Sequence, residues 1–127
     1  MNSGREDDRE MIRQVVRGER PWTDLRAIGM NIQLEGNRCA IENPRQISTT
    51  ADVHDLAKGF LAYLHDARAL REWAFLIEAI DVDLDVENHP AGETLLNALW
   101  DASFGNPLHA DVVRTVEQLA HENGSKA

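Results

Sequence analysis

Between positions 73 and 111 the chain must satisfy two opposed demands. This stretch holds the two densest apolar runs, at 73–80 and 95–100, and it also holds Glu78, Asp81, Asp83, Asp85, Glu87, Glu93, Asp101 and Asp111. No Lys or Arg stands anywhere between Arg71 and Arg114. Apolar runs must leave water, because burial of apolar surface is the main favourable term in folding. Unpaired carboxylates must stay in water, because burying a charge without a partner is prohibitive. The segment is therefore expected to supply the centre of the core and, on its other side, the most acidic surface of the molecule.

Helical periodicity surrounds this stretch. Val53, Leu56, Ala57, Phe60, Leu61 and Leu64 recur at i, i+3, i+4, i+7 spacing, the clearest amphipathic helix in the chain. Thr49 or Thr50 is placed to cap it, with Asp52 favourable near its positive end. Gly59 in its middle costs ~1 kcal/mol relative to Ala, tolerable where another element comes close. Asp66 is the expected N-cap of the next helix, whose buried face is Leu70, Trp73, Ala74, Ile77 and Ile80, widened by Phe75 and Leu76. The short link between the two predicts an antiparallel helical hairpin at the centre of the fold. Downstream, Pro90 opens a helix expected to bury Leu95, Leu96, Leu99, Trp100 and Ala102, and Gly105 closes it. Asn106-Pro107 then leads into a last helix with the stripe Leu108, Val112, Val113, Val116, Leu119 and Ala120.

The N-terminal part is read the same way. A helix starts near Glu6 with the stripe Met11, Ile12, Val15 and Val16 and ends at Gly18. Arg9, Arg13 and Arg17 recur every four residues and read as a solvated face, partly neutralised by Glu6, Asp7, Asp8 and Glu10. Pro21 suits the first turn of a short second helix, in which Trp22, Leu25 and Ile28 face the core and Gly29 ends the turn. The period then switches to two. Met30, Ile32 and Leu34 alternate with Asn31, Gln33 and Glu35, and Gly36-Asn37 is a two-residue hairpin turn. That turn sets Leu34 opposite Cys39 and Ile32 opposite Ile41 on one face, so register and hydrophobicity agree, and Cys39 reads as a small buried hydrophobe. Strict alternation returns at 81–87, with Val82, Leu84 and Val86 on one side and Asp81, Asp83, Asp85 and Glu87 on the other. This is an extended segment, a candidate third edge strand beside the hairpin, whose charges also resist edge-to-edge aggregation.

The fold expected from these patterns is a mainly helical α+β domain. It has five to six helices around a central helical hairpin, with one small antiparallel β-hairpin. At 127 residues it fits a single domain, 1–127, large enough to bury a core without staples. The ends at 1–5 and 123–127 are expected to fray.

Charge and motif narrow the function without fixing it. Residues 1–50 hold eight acidic and eight basic side chains; residues 51–127 hold fourteen acidic and five basic, the whole excess of −9. Such a field repels nucleic acid and anionic lipid and favours a basic partner. The single cysteine excludes an intrachain disulfide and a cysteine-cluster zinc site, and fits a reducing, cytoplasmic setting. No signal peptide or membrane span is expected. Asp81-x-Asp83-x-Asp85 opens like a calcium loop. Its sixth position is Val86 where glycine is needed, and its twelfth is Gly92 where a bidentate Glu is needed. Among His54, His65, His89, His109 and His121, the pair His54 and His65 falls on one face of a continuous helix, about three turns apart. His65-Asp66 has the two letters of the metal-binding HD dyad but none of its flanking ligands. Phosphate-cradle glycines and a glycine-flanked serine elbow are both missing. The reading is a non-enzymatic binding protein of the immunity or inhibitor type, meeting a basic protein through Asp81, Asp83, Asp85, Glu87 and Glu93, with no cofactor or metal. Two alternatives stand beside it. One is a small enzyme or ligand binder with an inter-helix pocket using His54 or His65. The other is a subunit of a structural or homo-oligomeric assembly. Trp22, Trp73 and Trp100 are core by default, and any of them found exposed becomes an interface candidate.

Overall fold

The computed structural model describes residues 2–35, 38–80 and 82–122, the side chains of 2–5 excepted. In chain order the elements are α1 (Asn2–Val16), a 3-10 helix (Trp22–Ile28), β1 (Asn31–Glu35), β2 (Arg38–Glu42), β3 (Thr49–Asp52), α2 (Val53–Ala62), α3 (Ala67–Ala79), β4 (Val82–Asp85), α4 (Gly92–Ser103) and α5 (Ala110–His121). The fold is mainly helical α+β. No helix among the described residues is long and apolar enough to cross a membrane.

The antiparallel pairing of β1 and β2 sets Glu35 against Arg38, Leu34 against Cys39 and Ile32 against Ile41. This is the register a two-residue turn at 36–37 demands; the turn pair itself lies outside the described residues. Ile32 is buried, while Leu34, Cys39 and Ile41 are half-buried, so Cys39 is less enclosed than a core position. What burial it has raises its thiol pKa.

The acidic alternation does form a strand, β4, but not beside the hairpin. It pairs in parallel with β3, Thr49 against Val82 through Asp52 against Asp85. Thr49 and Thr50 are strand residues, and the cap of α2 is Asp52. Its carboxylate accepts the Asp55 N–H at 3.0 Å while the Asp55 carboxylate accepts the Asp52 N–H at 3.0 Å, a reciprocal capping box. Parallel strands need a crossover, and α2 with α3 supplies it.

The expected helical hairpin of α2 and α3 is not the main packing unit. Their link is short, and Asp66 caps α3 by accepting the Ala69 N–H at 3.1 Å. Yet α3 packs most extensively on α4, and α2 on α5. Trp73 is central to where the two meet. Trp73 of α3 lies against Phe60 and Tyr63 of α2, at ring separations of 5.0 and 6.2 Å, and passes Gly59. Its indole N–H donates to the Val16 carbonyl at the end of α1, at 3.1 Å. A methyl group at position 59 would collide with both the Trp73 ring and that carbonyl. Around this junction Ile12, Val15, Leu56, Leu76, Ile77 and Leu95 are almost fully enclosed.

The arginine row of α1 is only partly a solvated face. Arg17 is 16% exposed and meets Glu10 at 2.7 Å, Glu19 at 2.9 Å and Asp55 of α2 at 3.5 Å. Arg13 pairs with Glu10 at 2.9 Å and donates to the Thr49 hydroxyl of β3 at 2.6 Å. Arg9 remains on the outside, with Glu6. Hydrogen bonds from Arg13 and Arg17 hold the Glu10 carboxyl below its usual range. Burial pushes Asp55 the other way, an effect that Arg17 partly opposes.

Two outcomes follow from this packing. Gly59→Ala, which helix propensity alone would make stabilising, is expected to destabilise by about 1–3 kcal/mol through overpacking; a gain in urea denaturation would refute the close approach. Arg17→Met is expected to cost about 1–3 kcal/mol at neutral pH, because it leaves the largely buried Asp55 without its cation and Glu10 with Arg13 alone. Glu10 has a lowered folded pKa, so its contribution is full above the ordinary carboxylate range and is lost as pH falls through the folded value. The deficit of the variant should therefore shrink in acid. A deficit that grows below pH 4 would contradict the network.

Candidate functional site

Chemistry gathers on two surfaces of the molecule. The first lies beyond the carboxyl ends of β3 and β4. Parallel register brings Thr50 beside Asp83 and Asp52 beside Asp85, with Thr50, Asp83 and Asp85 exposed. Because Asp52 both ends β3 and caps α2, His54 falls in the first helical turn. Its Nε2 stands 3.1 Å from Glu122 Oε1, at the end of α5, and its Nδ1 stands 3.9 Å from Asp52 Oδ1. His89 arrives from the loop after β4. Its Nδ1 accepts the Ala91 N–H at 3.0 Å, and its ring meets that of His54 edge-on at 5.9 Å. One ligand atom from each of His54, His89 and Glu122 lies within 4.8 Å of the others. Close by in the chain, Glu87 and Glu93 rim a shallow depression with His89 and Leu96.

Of the predicted partner residues, Asp83, Asp85, Glu87 and Glu93 are all exposed, and none forms an ion pair among the described residues. Asp81 lies outside the described residues. The strand face holds Asp83 and Asp85, while Glu87 and Glu93 belong to the following loop and helix, so the acidic surface has two parts. The expected His54–His65 face does not form. α2 ends at Ala62, three residues short of His65, and His65 is exposed. The histidine that joins His54 is His89, which the sequence could not pair with it: the contact depends on the β3–β4 pairing, and Glu122 is 68 residues from His54.

The second surface is the outer side of α4. Leu95, Ala98, Leu99 and Ala102 are buried as their spacing implies. Leu96 and Trp100, expected in the core, are 39% and 57% exposed, and Phe104 is 62% exposed. The three recur every four residues and so form a second stripe, a signal present in the sequence. Trp100 and Phe104 pack edge to face at 4.9 Å. With Phe75 and Ala79 of α3 they wall an open groove of about 500 Å³ whose polar members are Arg71, Glu78 and Ser103. The Ser103 hydroxyl donates to the Trp100 carbonyl at 2.6 Å, fixing the last turn of α4. Partial burial in the groove raises the Glu78 carboxyl above its usual value, against a smaller opposing contribution from Ser103.

Comparison of the chain with protein-family models, curated proteins and solved structures found no match.

The raised Glu78 carboxyl has a stability consequence. A carboxyl whose folded pKa exceeds its unfolded one weakens the fold once it ionises. Glu78→Gln should therefore raise stability at pH 7 by a few tenths of a kcal/mol, roughly the scale of a solvent-screened surface charge. That gain should vanish below the ordinary carboxylate range; a loss at pH 7 in urea denaturation would show that the groove does not disfavour the charge.

Proposed function

We propose that the protein is a small acidic binding protein that neutralises or regulates a basic protein partner in the cytoplasm, in the manner of an immunity or inhibitor protein. The observation that carries this reading is the exposed pair Trp100 and Phe104, set in a chain segment that holds eight carboxylates and no cation. Exposed charge pairs contribute only ~0–1 kcal/mol each, so carboxylates alone make a poor interface. They act mainly on approach, steering an oppositely charged partner and accelerating association. Affinity comes from apolar anchors in desolvated pockets, among which tryptophan is enriched. Here both are present. The groove between α3 and α4 suits an apolar side chain of the partner, and Asp83, Asp85, Glu87 and Glu93 supply the steering field. A second copy of this chain fits less well, because it would bring the same −9 against itself. The single cysteine is in keeping with a reducing compartment.

The test uses the full chain as bait, with wild type, Trp100→Ala and the double variant Asp83→Asn/Asp85→Asn compared in parallel. A basic protein retained by wild type should bind Trp100→Ala more weakly by about 2 kcal/mol or more, while the stability of the fold changes by less than ~1 kcal/mol. The double variant should associate more slowly in stopped flow, with a flatter salt dependence. A partner bound equally by all three, at low and high salt, would overturn the reading. So would sedimentation showing a stable homodimer that Trp100→Ala dissolves.

A further inference from the structure

We propose that His54, His89 and Glu122 form a binding site for a divalent transition-metal ion of the zinc class, which fastens the end of α5 to the start of α2 and to the loop after β4. The three side chains come from three separate places in the chain, and their ligand atoms already lie within 4.8 Å of one another. With metal–nitrogen and metal–oxygen bonds of about 2.1 Å, ligands in a tetrahedral site stand about 3.4 Å apart. The side chains therefore need to close by little more than an ångström.

The donor set selects the ion. Two imidazole nitrogens and one carboxylate oxygen suit zinc and its neighbours, with water in the fourth position. Calcium and magnesium call for six or more oxygens and are not served by this cluster. Two carboxylates stand near the His54 ring. Glu122 Oε1 faces Nε2 at 3.1 Å, so a cation can take the place of the proton between them, that proton leaving to solvent. On the other side of the ring Asp52 Oδ1 is 3.9 Å from Nδ1. That distance is too long for a hydrogen bond, so Asp52 acts here as a nearby negative charge rather than as a fixed outer ligand. His89 Nδ1 accepts the Ala91 N–H; that bond yields to the metal if Nδ1 ligates and holds the ring in place if Nε2 does. With three protein ligands that must still close on the ion, micromolar affinity is expected.

Position argues the same way. Ligands of open α/β sheets bind just outside the carboxyl ends of parallel strands. Here His54 follows β3 by two residues and His89 follows β4 by four, on a smaller parallel pair. The exposed Asp85 and half-exposed Asp52 add negative potential that favours a cation.

Calorimetric titration of the chelator-treated full chain with zinc chloride tests this, with magnesium and calcium chlorides alongside. One equivalent of zinc should bind in the micromolar range and raise the melting temperature, while the other two ions give no saturable heat. His54→Ala and Glu122→Gln should each weaken zinc at least tenfold, with circular dichroism unchanged. His65→Ala and His109→Ala, at exposed histidines away from the cluster, should leave the affinity as it is. Cobalt in place of zinc should give the intense visible bands of a four-coordinate site, lost in Glu122→Gln. No stoichiometric binding, or binding that survives Glu122→Gln and His54→Ala unchanged, would overturn the proposal. If His54→Ala does not fold, Glu122→Gln and the cobalt spectrum decide alone.

Discussion

The hydrogen bond from the Trp73 indole to the Val16 carbonyl holds the architecture together. A helix leaves its last carbonyls without intrahelical partners, and a buried one needs a donor from elsewhere. Here the donor is supplied by α3, 57 residues along the chain. For the indole to arrive, the α2 backbone must be bare where it crosses, and that position is Gly59. Three helices are thereby fixed against one another at a single point, with Phe60 and Tyr63 closing round the ring. α2 and α3 are left free along most of their length to pack against α5 and α4, which is how two helices joined by a short link avoid becoming a simple hairpin.

The same junction sets the charge layout. Once α1 is seated against α2 and β3, its Arg13 and Arg17 face Glu10, Glu19, Asp55 and Thr49. Arg13 and Arg17 are thereby drawn into the structure, while Arg9, Arg20 and Arg45 make their ion pairs in exposed positions. The carboxylates of 82–93 receive no such treatment, because no cation of their own segment can reach them. A sequence that is neutral in its first part and acidic in its second becomes a fold in which arginines of the first part pair with carboxylates, while Asp83, Asp85, Glu87 and Glu93 have no ion pair among the described residues.

What could be read in advance follows from how local each constraint is. The β1–β2 register needed only a turn dipeptide and an alternating pattern within a dozen residues, and it was legible in full. The caps at Asp66 and Gly29 and the purpose of Gly59 were legible for the same reason. The β3–β4 pair was not. Thr49–Asp52 has little apolar pattern, and its parallel partner lies beyond two helices, so nothing near it announces a strand. The displaced cap of α2 is a consequence of that one omission, whereas the His54–His65 face is lost because α2 ends at Ala62. The cluster of His54, His89 and Glu122 was out of reach for a stronger reason: it exists only once the strand pairing and the α2–α5 packing are both in place.

The exposure of Leu96 and Trp100 has a different cause. Their apolar character is real, but α4 carries two apolar stripes rather than one broad face. The inner stripe is satisfied by the helices it packs against. The outer stripe, Leu96, Trp100 and Phe104, stands in water on a rigid helix. Single exposed apolar residues are ordinary on a protein surface. Three in register, two of them aromatic and in contact, form a continuous patch, and patches of this kind mark interaction sites. Nothing in the fold requires them, since the core beneath α4 is already closed by Leu95, Leu99 and Ala102. Polar residues at 96, 100 and 104 would serve solubility better. The charged side chains that line the groove beside Trp100 and Phe104 are Arg71 and Glu78. The core accounts for the inner stripe of α4 and leaves the outer one, with Trp100 and Phe104 in contact, unexplained by packing.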